Sequence, residues 1–299
     1  MVGLNKIVMY AKELSGCEWW LLKKVFYYSR NYERVPLELL TRQKLFKEDY
    51  LRQCIRKLNR YGLVEFFQQP YEGIRLYTRG ADLLALKKFS DRGLIRGVGR
   101  QIGVGKESDI IEVLGYDDKK YSLKVFRLGR ISFKHVRKKR KYGPVEKWTP
   151  WIYRNIYAAK REFEILRYLY LRGASVPRPV YRIMHMLLMD FLDGMLLNDI
   201  DLEENEVNNF LEQIISGIKV IYDLGYVNGD LSQFNIFILR NKKVVFIDWP
   251  QAVRSDDPRA QELLNRDIKN IVRYFIRRYN VKYKSVIKLL SKYGFELIK

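Results

Sequence analysis

The 299-residue chain is predicted to be an α+β protein in two domains, a helix-rich domain over residues 1–90 and a two-lobed domain over 91–299. Three observations lead there. Before residue 90 the apolar residues recur at helical spacing around one short strand pair. From residue 100 short β-rich segments come first, then helices, then a strand pair around 235–248, then helices again. Hydrophobic residues make up 47% of the chain, enough for a buried core in each domain and too many for a disordered chain.

The first domain reads in order. Residues 18–29 place Trp19, Leu22, Val25 and Phe26 on one helical face. Pro36, a good first-turn residue, opens a helix expected over 36–46. Residues 47–61 carry Leu51, Ile55 and Leu58 on one side, and Gly62 stops that helix. Strands are expected at 63–67 and 74–78, and a last helix over about 79–89. Three helices, a hairpin and a helix are the order of a winged helix-turn-helix. Its third helix would be the recognition helix, with Lys47, Arg52, Arg56, Lys57 and Arg60 for phosphates and Gln53 and Asn59 for bases. A packing or protein-interaction module with solvated charges fits the same local pattern.

Charge and composition bound the function. Lys plus Arg total 56 against 34 Asp plus Glu, a formal charge of +22 that points to a polyanionic partner, nucleic acid or a nucleoprotein. Cys17 and Cys54 form no CxxC, and His135 and His185 lie in unrelated contexts, which argues against a disulfide framework or a Cys/His zinc site. No stretch approaches the ~18 uncharged apolar residues of a membrane span. Lys6, Lys12, Glu13 and Glu18 interrupt any signal-peptide core. A cytoplasmic protein without a membrane partner is expected. Residues 130–141 hold seven Lys or Arg in twelve and no apolar periodicity, and read as a basic, phosphate-tracking loop.

Four elements in the second domain carry chemistry in a fixed order. Gly103-Val-Gly105-Lys106-Glu-Ser108-Asp109 allows the backbone close to a phosphate, although it is not a Walker A loop. Lys124 lies inside a strand-like apolar run, where its charge must be paired or solvated, one hairpin from the glycines. Its partner is expected on the helix over 155–171, which supplies Glu162 and Glu164; Glu162 neighbours the core side formed by Phe163, Leu166 and Leu169. Asp230 and Asn235 lie five apart in a loop after the amphipathic helix 206–224, where an Asp can orient or deprotonate a hydroxyl and an Asn can ligate magnesium. Asp248 ends a buried apolar strand, a costly place for a charge unless a cation satisfies it. Each feature alone is commonly a turn, a cap or an edge lysine; the ordered set follows the logic of a kinase. The lobes would span about 91–189 and 190–299, with adenine near Met189, Asp190 and Leu192 and bonded by the Asp190 and Leu192 backbone. Only 51 residues of this sequence follow Asp248 and no A-P-E motif occurs among them, so the usual peptide-docking helices are not expected.

The GxGKESD loop, Asn228-Gly-Asp-Leu-Ser-Gln-Phe-Asn235 and Ile247-Asp-Trp-Pro-Gln251 resemble the RIO atypical kinases. The winged helix resembles specifically the second RIO subfamily, in a short archaeal-looking form. The resemblance implies a serine/threonine kinase or ATPase that uses ATP and magnesium in maturation of the small ribosomal subunit, with rRNA and ribosomal proteins as partners. It implies Lys124 as the phosphate-contacting lysine and Glu162 as its ion-pair partner. Lys106 and Ser108 would contact phosphate, Asp230 would be the catalytic Asp, and Asn235 and Asp248 the metal pair. Asp248 is also a candidate phosphoacceptor through an aspartyl phosphate. Two residues depart from the family pattern: Asn228 stands where His is usual, and Trp249 where Phe is common. Ser132 in the basic segment is a candidate autophosphorylation site. Two other readings remain, a nucleic-acid-binding regulator with an inactive kinase lobe and a small-molecule phosphotransferase of the aminoglycoside or choline type.

Overall fold

The computed structural model describes residues 4–128 and 151–296. The basic segment 130–141 and Ser132 lie outside the described residues. The chain divides into two compact units, Met1–Lys160 with Tyr181–Leu188, and Arg161–Val180 with Met189–Lys299.

The first unit begins with helices α1 (Leu4–Ala11) and α2 (Gly16–Tyr28). The turn into α2 is a capping box: the Ser15 amide donates to the Glu18 carboxylate at 2.6 Å, and Ser15 and Glu18 side chains also pair. Next come β1 (Val35–Pro36) and the short helix α3 (Leu37–Thr41). The helix expected over 36–46 is thus only five residues long. Val35 and Pro36 are taken by pairing with Ile74 and Gly73, and Lys44 adopts a left-handed φ of 50° that ends any continuation. Helix α4 (Glu48–Arg60) buries Leu51, Cys54, Ile55 and Leu58. It ends in a Schellman turn, where Gly62 at φ 63° lets the Leu63 amide reach the Leu58 carbonyl at 3.0 Å. Strands β2 (Val64–Phe67) and β3 (Gly73–Leu76) form the wing, and α5 (Thr78–Asp91) closes the module. The result is the expected winged helix with one further helix, α1, at its front.

Strands β4 (Gly97–Val104), β5 (Ser108–Leu114) and β6 (Lys120–Phe126) form an antiparallel meander. With β7 (Pro179–Ile183) and β8 (Met186–Asp190) they make a five-stranded sheet in the order β4-β5-β6-β8-β7. Alternate β5 residues Asp109, Ile111 and Val113 are buried, as period-two patterning requires. Helix α6 (Trp151–Leu171) begins in the first unit and ends in the second.

The second unit centres on the amphipathic helix α7 (Glu204–Asp223), which buries Val207, Phe210, Leu211, Ile214, Ile215, Ile218 and Ile221. Strands β9 (Gly194–Leu196), β11 (Ile236–Leu239) and β12 (Val244–Phe246) form one small sheet. Strands β10 (Tyr226–Val227) and β13 (Val253–Arg254) form a second. Helices α8 (Ala260–Tyr279) and α9 (Tyr283–Lys292) follow. No helix among the described residues is long and apolar enough to cross a membrane.

Candidate active site

The first unit carries the glycine loop and the strand lysine. The β4–β5 hairpin is closed by a 2.7 Å bond from the Gly105 amide to the Ser108 carbonyl. Gly103 sits opposite Ile110, Ser108 opposite Phe126, and Ile110 opposite Lys124. This register places Lys124 one pair of residues past the loop's return, beside Gly103 across one intervening strand. Lys106 is exposed and Ser108 half-buried. Lys124 is only 4% exposed, and its ammonium lies 5.3 Å from the centre of the Phe126 ring.

A buried polar network underlies the loop. The Arg127 guanidinium grips Asp82 of α5 with two bonds of 2.7 and 2.8 Å, and its Nε reaches Asp109 Oδ2 at 3.4 Å. Its backbone amide donates to the Glu107 carbonyl at 2.6 Å. His185 Nε2 lies 2.7 Å from Asp82 Oδ1, and the Gln101 amide donates to Asp109 at 3.0 Å. Burial alone would push the Asp82 carboxyl up; the Arg127 charge and the bond to His185 outweigh it and hold the group below its ordinary value. Asp82 therefore links the winged helix, through Arg127, to Glu107 and Asp109 on the return side of the glycine loop. Sequence reasoning missed it. The available signal was a lone carboxylate in the otherwise buried run Gly80–Leu86, where a charge demands a partner.

The adenine candidates are placed as follows. Met189 is buried at the end of β8. The Asp190 amide already donates to the Arg178 carbonyl at 3.0 Å, and its carboxylate pairs with Arg178 at 2.8 Å. A bond from Asp190 to a base must therefore come from its carbonyl, which narrows the expectation that its backbone as a whole was available. Leu192 is half-buried just beyond.

The second unit gathers the remaining residues through backbone ties. Gly229 adopts φ 75°, and a Cβ there would approach the Gln251 carbonyl to 3.0 Å, so only glycine turns this loop without strain. Asp230 is exposed, and its Oδ2 accepts from Gln251 Nε2 at 2.9 Å. The Asn235 side-chain amide donates to the Asp230 carbonyl at 2.8 Å, which commits its nitrogen and presents Oδ1 as the remaining ligand atom. The Ile247 amide donates to the Asn235 carbonyl at 3.0 Å, fastening this loop to the residue before Asp248. Asp248 lies two residues past β12 at a left-handed φ of 64°, uncommon for a non-glycine residue and characteristic of functional turns. Asn228, only 5% exposed, spans both pieces: its Nδ2 donates to the Asp248 carbonyl and its Oδ1 accepts from the Asp230 amide, each at 3.2 Å. It thus ties the two backbone pieces together.

Glu162 is 1% exposed while Glu164 is exposed, and Glu162 Oε1 lies 3.5 Å from the Trp249 amide that donates to it. Asp267 and Asn270 of α8 both reach the Asp230 loop. Asp267 accepts from the amides of Gly229 at 2.7 Å and Leu231 at 3.0 Å, and Asn270 donates to the Leu231 carbonyl at 3.2 Å. Burial pushes the Asp267 carboxyl up to about 6, and those two amides offset only part of the effect.

No cluster of three or more His, Cys, Asp or Glu side chains suited to a metal occurs among the described residues. Asn235 and Asp248 would supply two oxygen donors instead. That set fits magnesium, which takes one or two protein oxygens and completes its shell with water and phosphate.

The expected recognition helix is less available than its charges suggest. Arg52 is taken by Glu48 and by Glu72 of the wing at 2.8 Å each. Lys57 donates to the Glu13 carbonyl at 2.5 Å and lies 3.6 Å from Glu18. Asn59 accepts from the Phe66 amide at 3.3 Å. Lys47, Gln53, Arg56 and Arg60 remain exposed. Three of the seven candidate contacts thus serve internal structure.

The five-stranded sheet with its glycine hairpin and strand lysine, and the helical unit with its D-x-x-x-x-N loop, define a kinase-like phosphotransferase. A model of the RIO domain matches residues 109–287 and a model of the Rio2 N-terminal region matches residues 11–92. The chain belongs to the RIO family of serine/threonine kinases, in its Rio2 branch. It is 35% identical to a RIO-type serine/threonine-protein kinase Rio2 of Methanocaldococcus jannaschii over 84% of this chain and 93% of that protein. It is 35% identical to the serine/threonine-protein kinase rio2 of Schizosaccharomyces pombe over 94% of this chain and 81% of that one. A crystal structure of the Chaetomium thermophilum Rio2 kinase in an ADP/Mg2+-phosphoaspartate complex superposes with a TM-score of 0.79 at 29% identity, covering 96% of this chain and 89% of that one.

Proposed function

We propose that this chain is a magnesium-dependent ATP phosphotransferase whose terminal phosphate passes to Asp248, and that it acts on a small-subunit ribosomal precursor. The observation that carries the chemistry is the set of ties fastening Asp230, Asn235 and Asp248 into one element through Asn228 and the Ile247 amide. The glycine hairpin and Lys124 would bind the phosphates, with Glu162 as the partner of Lys124. Met189, the Asp190 carbonyl and Leu192 would border the adenine. Asn235 and Asp248 would hold magnesium, which would neutralise charge on the phosphate oxygens.

An Asp248 carboxylate oxygen attacks the γ-phosphorus, and the bond from that phosphorus to the β,γ-bridging oxygen breaks, its electron pair leaving with ADP. Asp230 then accepts a proton from the water, or from the substrate hydroxyl, that attacks the acyl phosphate. The ADP/Mg2+-phosphoaspartate complex of the Chaetomium relative supports an aspartyl-phosphate step. The charge of +22 and the winged helix favour a nucleoprotein partner over a small metabolite. Bound ATP and ADP would set different affinities for the particle, so that hydrolysis releases it.

Two measurements test this reading. Magnesium-dependent ATP turnover should fall at least a hundredfold in Asp230→Asn. Co-sedimentation with purified small-subunit precursors should differ between a non-hydrolysable ATP analogue and ADP; equal affinity would sink the release step, and turnover unaffected by Asp230→Asn would sink the catalytic assignment.

A further inference from the structure

We infer that the groove between α2, α5 and the start of α6 is a docking site for single-stranded RNA, distinct from helix α4. The inference rests on the reading of nucleic acid as the partner and supplies its location. The groove has a volume of about 740 Å³, within the range of about 300–1,000 Å³ that ligand sites span. Lys23, Arg30 and Lys88 line it together with Phe26, Tyr27 and Tyr153, and no carboxylate does among the described residues.

Its cations differ from those of α4. Lys23, Arg30 and Lys88 are all exposed, and none has an ion-pair partner among the described residues. Arg52 and Lys57 of α4, by contrast, are neutralised from within. The α4 helix still exposes Lys47, Arg56 and Arg60, and what distinguishes the groove is that its cations share one concavity with aromatic rings and with no carboxylate among its described lining residues.

The aromatic rings are preorganised for stacking. Tyr153 stacks on Phe26 with centroids 5.8 Å apart and planes 15° from parallel, and its hydroxyl donates to the Phe26 carbonyl at 3.0 Å. Tyr27 is 69% exposed and is held edge-on by Tyr28, whose hydroxyl is in turn fixed by Gln43 at 3.0 Å. An exposed ring on a rigid support beside three unpaired cations suits bases that are unstacked from a duplex. An acidic peptide would satisfy the cations and leave Tyr27 without a stacking partner.

The test is fluorescence anisotropy of a labelled twelve-uridine RNA with the full chain, over a salt series. Tyr27→Ala should weaken binding by about five- to a hundredfold, the loss of one stacked base. The triple variant Lys23→Ala/Arg30→Ala/Lys88→Ala should flatten the salt dependence by a slope of about 2, three phosphates at ~0.7 each. Gln53→Ala/Arg56→Ala on α4 should change affinity less than twofold. A 4-thiouridine oligomer should crosslink to the peptide containing residues 23–31, a readout independent of how any variant folds. Binding that survives both groove changes and falls with the α4 pair would overturn the location and leave the nucleic-acid reading standing. No binding by the wild-type chain would remove both. Displacement of the RNA by a twelve-residue glutamate-rich peptide at equal concentration would overturn RNA as the occupant.

Discussion

Asp267 is the anchor of the loop that carries Asp230, and its buried charge makes a quantitative prediction. Its carboxylate accepts from the Gly229 and Leu231 amides, and burial pushes its pKa from 3.8 up to about 6. A group whose folded-state pKa is raised favours the protonated folded form. Its stabilising contribution is complete below the unfolded value of about 3.8 and is lost as pH rises through about 6. At 1.36 kcal/mol per unit, a rise of roughly two units corresponds to about 3 kcal/mol. Asp267→Asn removes the ionisation and keeps one acceptor for the two amides. The stability of the wild type relative to this variant should therefore fall by about 3 kcal/mol between pH 4 and pH 7. Denaturant unfolding of both proteins at half-unit pH steps measures the difference directly. Parallel stability curves across that window would refute the assignment of a buried, titrating anchor. Asp267→Ala leaves both amides without an acceptor, and kcat should drop at least tenfold while ATP binding changes little.

The remaining predictions concern the supports of the two half-sites. Asp82→Ala strands the mostly covered Arg127 and the buried His185 and should cost about 3–5 kcal/mol in denaturant unfolding. Because the Asp82 pKa is held down in the fold, its stabilisation is present above the ordinary carboxylate value of ~3.9 and is lost as pH falls through the lowered folded value. Asp82→Asn should therefore unfold less steeply with acid than the wild type. Asn228→Ala removes both bonds joining the Asp230 amide to the Asp248 carbonyl and should lower kcat about tenfold, with rescue by Asn228→His; equal loss in both variants would count against a positioning role. Gly217→Ala on α7 places a methyl into the Phe246 ring beneath the strand that leads to Asp248, and calorimetry should show a loss of about 1–3 kcal/mol.

Much of this architecture was legible from local pattern. The apolar stripe of α7, the Gly62 stop and the paired wing strands each follow from side-chain periodicity or a left-handed turn, properties of a few consecutive residues. The D-x-x-x-x-N spacing and the strand-end Asp248 were legible for the same reason. Contacts between distant segments were not. Arg52 looked like a phosphate ligand because its partner Glu72 lies on the wing, twenty residues away. The helix over 36–46 was overestimated because pairing of Val35 and Pro36 with β3 claims its first turn. Asp82, His185 and Arg127 come from three elements and meet only in the fold. The Asp190 amide could not be known to be occupied until Arg178 was placed beside it.

The central claim is that Asp230, Asn235 and Asp248 form one phosphotransfer element with Asp248 as acceptor. The most direct measurement is retention of radiolabel on the protein after incubation with magnesium and γ-labelled ATP, followed by hydroxylamine treatment of the wild type and of Asp248→Asn. The account predicts label on the wild type that hydroxylamine releases and none on Asp248→Asn. Hydroxylamine-stable label that persists in Asp248→Asn would contradict it and place the acceptor on a hydroxyl side chain.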